Sequence, residues 1–122
     1  MKTQMLLPLL AIAAASPAFA EPCTTAASRL MIAKTLRLAA EERPMNVTFQ
    51  TRAEGVKIPE NLKAKYSDDM TIILQNDFAQ LNVTDDRFDV VLRFRSSPER
   101  LSVPLTAIKA FWDKTELKCS SR

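Results

Sequence analysis

A chain of 122 residues has the length of one domain, and its formal charge of +3, 17 Lys and Arg against 14 Asp and Glu, is too small to imply a nucleic-acid or anionic-lipid partner. Histidine is absent, which removes the commonest general base near neutral pH and the usual metal ligand. Gly55 is the only glycine, so there is no glycine-rich phosphate loop. These absences speak against most familiar enzyme chemistries, and no cofactor is expected.

The first twenty residues, "MKTQMLLPLLAIAAASPAFA", read as a cleavable signal peptide. Lys2 supplies the positive start, residues 5–15 the apolar stretch, and Ala18-Phe19-Ala20 the small-residue cleavage pattern. The alternative, an N-terminal membrane helix, falls short of the roughly 20 apolar residues a bilayer requires. Cleavage after Ala20 leaves 102 residues with 16 basic and 14 acidic side chains, a charge of +2. It implies a periplasmic or secreted protein with no stable membrane insertion. Cys23 and Cys119 then lie near the two ends of an exported chain, where an even pair suggests a disulfide. Two buried free thiols are the other reading.

Residues 21–44 read as an N-terminal helix, capped by Thr24 or Thr25, running to about Arg43 and ended by Pro44. Ala27, Leu30, Met31 and Leu38 lie on one side; Ile32, Leu36, Ala39 and Ala40 widen it to a broad apolar band. The band is either a single core face or a core face beside a homodimer surface over 26–42. "MNVTFQT" (45–51) alternates as a half-buried strand, with Met45, Val47 and Phe49 inward. Pro59 can start a helical turn reaching Tyr66. "MTIILQN" (70–76) is almost continuously apolar, which suggests a central strand. Residues 79–96 form a hairpin turning at Asp85-Asp86, with Phe88, Val90, Leu92 and Phe94 on one face. Pro98 belongs to a loop, and Leu101, Val103 and Leu105 to a short strand. Val103-Pro104 reads as a strand-to-helix junction, with Leu105, Ile108, Phe111 and Trp112 as the buried stripe of the helix that follows. "TELKCSSR" reads as a last edge strand held by Cys119. The result is an α+β domain with a small curled antiparallel sheet.

Four blocks carry a family resemblance: "FQTRAEGVKIPENLKAKY", "MTIILQNDFAQLNV", "DRFDVVLRF" and "PERLSVPLTAIKAFWD". In order and spacing, over 45–113, they resemble the SspB (stringent starvation protein B) family, the ClpXP specificity-enhancing factors, in its α-proteobacterial form. The resemblance implies an Sm-like pseudo-barrel spanning 45–122, often dimeric through an N-terminal helix. It implies an adaptor that grips the tag added by ribosome rescue and delivers the tagged protein to ClpXP. The positions matching the family's peptide groove are Ile72, Leu74, Val90, Leu92, Phe94, Leu101 and Val103. Where the family has Gly-Gly, an apolar residue and Pro, this sequence has Arg95-Ser96-Ser97-Pro98. The family's acidic linker and ClpX-docking segment have no counterpart after "TELKC", so the protease partner is left open.

The resulting expectation is a non-catalytic, exported protein that binds peptides or unfolded protein tails in an apolar groove. Arg93, Arg95 and Arg100 would flank that groove and favour an acidic residue or terminal carboxylate. The alternative is a cytoplasmic ClpXP adaptor whose apparent signal is spurious. The paired carboxylates Asp68-Asp69 and Asp85-Asp86 fall in polar turn segments and read as solvated charge.

Overall fold

The computed structural model describes residues 21–39, 42–94 and 97–121; the expected signal peptide at 1–20 lies outside them. Helix α1 (Ala26–Leu36) is followed by β1 (Met45–Gln50), α2 (Glu60–Lys65), β2 (Asp69–Leu74), β3 (Phe78–Val83), β4 (Arg87–Phe94), β5 (Ser97–Pro104), β6 (Ile108–Asp113) and β7 (Glu116–Ser120). The strands form two antiparallel sheets that do not close into a barrel. One runs β2-β1-β6-β7, the other β3-β4-β5. Their inward faces share one core, in which Phe49, Phe88 and Phe111 are fully buried.

Thr25 is the cap of α1: its side chain accepts from the Ser28 N–H at 3.0 Å. The helix ends at Leu36, well short of Arg43. Thr35 donates its hydroxyl to the Met31 carbonyl, a back-bond that weakens helices. Tight turns then follow, with the Leu38 N–H on Thr35 O and the Ala39 N–H on Leu36 O. The apolar band divides. Ile32, Ala33 and Leu36 pack into the core, while Leu30 and Leu38 remain 54% and 55% exposed. Ala40 lies outside the described residues.

Strand β1 buries Met45, Val47 and Phe49 as its alternation requires, and α2 follows Pro59. Two expectations about strands are corrected. The apolar run at 70–76 is not central: β2 is an edge strand, burying Met70, Ile72 and Leu74 and leaving Ile73 57% exposed. Pro98 lies within β5 rather than in a loop, opposite Arg93. An edge strand tolerates it because one row of N–H groups has no ladder to join.

The helix expected after Val103-Pro104 is absent. Pro104 ends β5, a single 3₁₀ turn covers Leu105–Ala107, and the chain re-enters a sheet as β6. The spacing of Ile108 and Phe111 mimicked a helix because of a bulge. Thr48 pairs with Ala110 but Phe49 pairs with Ile108, so Lys109 is the extra residue. That extra residue turns an inward spacing of two into three.

Cys23 and Cys119, both fully buried, form a disulfide that ties the start of α1 to β7. The adjoining N-terminal segment runs beside β7. The Ser120 N–H donates to Glu21 O, and the Cys23 N–H donates to Ser121 Oγ. The two cysteines are 96 positions apart. A cross-link closing so long a loop removes chain entropy from the unfolded state worth about 4–5 kcal/mol.

Candidate functional site

Because β2 is the last strand of its sheet, one row of its backbone N–H and C=O groups has no strand partner among the described residues. Facing it across the mouth between the sheets is the end of β4. A cavity of about 320 Å³ opens there, lined by Thr71, Ile72, Ile73, Gln75, Asn76, Asp77, Leu92, Arg93 and Phe94. The Arg93 N–H donates to Asp77 O at 3.3 Å, which fastens the loop after β2 to β4 and sets the width of the mouth.

On the other side of Phe94 lies a second cavity of about 570 Å³. Its walls are α2, through Asn61, Leu62 and Lys65, with Tyr66 at the cap of that helix, and the start of β5, through Ser97 and Glu99. Lys65 sits over the Tyr66 ring at 5.5 Å from its centroid, a cation–π contact that holds the aromatic wall. Thr51 donates its hydroxyl to the Tyr66 carbonyl at 2.7 Å, anchoring the end of α2 to β1. Phe94 is half-buried, packs against the core and lines both cavities. The two cavities are therefore halves of one cleft, with an unpaired strand edge along one half and an aromatic and aliphatic wall along the other. Chemically, such a cleft can offer main-chain hydrogen bonds to an extended chain and apolar pockets for its alternate side chains.

The seven sequence-derived groove positions divide by depth. Leu74, Val90, Leu101 and Val103 are fully buried and line neither cavity. Ile72 and Leu92 are 3% and 6% exposed and form the floor of the first. Phe94 alone reaches both. Of the three flanking arginines, Arg93 lines the cleft, whereas Arg100 lines neither cavity and donates to Gln80 Oε1. Arg95 lies outside the described residues. Sequence reasoning missed Ile73 and the α2 wall. Ile73 carried no separate signal, since in a run that reads as a central strand an apolar residue on each face is ordinary.

Of the paired carboxylates, Asp69 and Asp85 have cationic partners. Asp69 is 3.0 Å from Lys109 Nζ, within a polar cavity of about 500 Å³ that Arg52 and Asp68 also line. Asp68 accepts from the Thr51 N–H through its carbonyl, and Asp85 lies 3.7 Å from Arg37.

Comparison with curated proteins gives no match for this chain. A family model described as SspB, Stringent starvation protein B, matches residues 23–118, from the disulfide cysteine in front of α1 to the middle of β7. With that match covering most of its length and an α1-plus-two-sheet fold carrying the cleft, the chain belongs to the SspB family.

Proposed function

We propose that this protein is a non-catalytic adaptor that holds an extended peptide or unfolded protein tail in the cleft between β2 and the β4–β5 hairpin. The observation that carries the reading is Phe94: one half-buried aromatic side chain is the common wall of two cavities beside an unpaired strand edge. Membership of a family of ClpXP adaptors supports it. The tail would add a strand to β2, cover Ile73, and place alternate side chains against Leu92, Phe94 and Tyr66. Fluorescence titration with a ribosome-rescue tag peptide tests this. Micromolar binding that Phe94→Ala weakens about thirtyfold is the expected result, the range of a central aromatic anchor. No binding at high micromolar peptide, and no effect of Phe94→Ala on any ligand found, would overturn it.

We also propose export. The N-terminal pattern motivates it, and the buried Cys23–Cys119 disulfide is of the kind that persists in oxidising compartments. Family membership favours the second reading, a cytoplasmic ClpXP adaptor with residues 1–20 retained. The mass of the protein from its host separates the two: a periplasmic species starting at Glu21 supports export, and a full-length cytosolic species contradicts it. Homodimerisation through α1 and the turn after it belongs to the same proposal, since Leu30 and Leu38 are exposed there.

A further inference from the structure

The β3-β4-β5 sheet has a second face, turned away from the core. Antiparallel pairing puts partners on the same side. Arg87, Asp89, Val91 and Arg93 of β4 therefore lie outward with Arg100 and Ser102 of β5. Lys57 joins them, because it exchanges backbone hydrogen bonds with Ser102 at 2.8 and 2.9 Å and so extends this face by one more residue. Four cations thus share the face with one carboxylate, Asp89.

Two of the cations are held in place. Arg87 donates to Ser102 Oγ and to Gly55 O, and Arg100 donates to Gln80 Oε1 at 2.6 Å. Arg93 and Lys57 are exposed. Between the cations is an apolar floor: Ala79, Val91 and Pro98 line a shallow cavity of about 220 Å³.

This cavity and the first half of the cleft have three lining residues in common, Asn76, Asp77 and Arg93. The path is continuous: α2 wall, Phe94, β2 edge, then over Arg93 onto the arginine face. Asp77 is a second carboxylate at the crossing, so the positive excess lies beyond it, toward Arg100 and Lys57.

We propose that the substrate is recognised in two parts, an apolar tail in the cleft and, N-terminal to it, an acidic segment that crosses Arg93 and lies along the outward face of β4–β5. The inference rests on the cleft reading above and adds the charge class of the flanking segment. Charge complementarity selects the occupant: Asp89 lies 4.0 Å from Arg87, and the remaining cations Lys57, Arg93 and Arg100, with Ala79, Val91 and Pro98 beside them, suit an extended chain rich in Glu or Asp. Exposed charges at such a rim act chiefly on association rate and selectivity, each contributing modestly.

The test uses fluorescent peptides with one alanine- and leucine-containing C-terminal tail preceded by either four serines or four glutamates. A free glutamate peptide without the tail is the third probe. In wild type at low salt, the glutamate flank is expected to tighten binding about tenfold. That gain should vanish in the Lys57→Glu/Arg100→Glu variant and at about 1 M salt, where the screening length is about 3 Å. Binding of the serine-flanked peptide should be unchanged by those substitutions, and a melting curve checks that the variant is folded. Equal affinity for both flanks in wild type overturns the arginine face and leaves the cleft reading intact. Binding of both glutamate peptides alike, with no effect of Phe94→Ala, overturns the cleft and the two-part arrangement. An oligonucleotide that outcompetes the glutamate peptide on the same residues overturns the assignment to an acidic chain. No binding by any probe sinks both readings.

Discussion

Gly55 stands at φ +90°, a conformation costly for any residue with a Cβ, and its carbonyl accepts from Arg87. A Cβ built there would meet Pro104 Cγ at 2.9 Å. Gly55→Ala combines a strained backbone with a clash against the strand end that turns the chain toward β6. It should lower stability by about 1–3 kcal/mol in denaturant unfolding. Lys114 is the opposite case. It has φ +59° in the Lys114-Thr115 turn between β6 and β7, where glycine is the favoured residue, while its N–H donates to Pro44 O. Lys114→Gly keeps that hydrogen bond and removes the strain, and should raise stability by about 0.5–1 kcal/mol in the same assay.

At the scale of elements, periodicity made some strands legible and concealed others. Strand β1 and strand β4 alternate without interruption, so the residues they bury could be named from pattern alone. Residues 105–113 could not. The bulge at Lys109 shifts the inward phase by one and produces a helix-like spacing, which only the neighbouring strand β1 reveals. The same dependence on neighbours governs the site. Ile72, Leu92 and Phe94 were reachable through family resemblance, and alternation also put Leu92 and Phe94 on one face of their strand. Ile73 acquires meaning only once β2 is known to be an edge strand, because in a central strand of a covered sheet an apolar residue on each face is ordinary. The wall made by α2 depends on the fold bringing residues 61–66 beside Phe94 and Ser97, which no local pattern encodes.

The whole molecule is tied end to end. Its disulfide joins the segment in front of α1 to β7, the edge of the four-stranded sheet farthest from the cleft. Replacing both cysteines with alanine should cost about 2–5 kcal/mol, measured by equilibrium unfolding, with peptide affinity at low temperature retained. Leu30 on α1 and Leu38 in the turn after it are exposed, and neither lines the cleft. Sedimentation should give a dimer for wild type and a monomer for Leu30→Glu, and a monomeric wild type would contradict the proposed dimer surface. For the cleft, the decisive measurement is amide chemical-shift mapping during titration with rescue-tag peptide. The largest shifts are expected at Ile73, Leu92, Arg93 and Tyr66, with β7 unmoved. Shifts confined to β6 and β7, or saturation with the residues around Phe94 unperturbed, would contradict it.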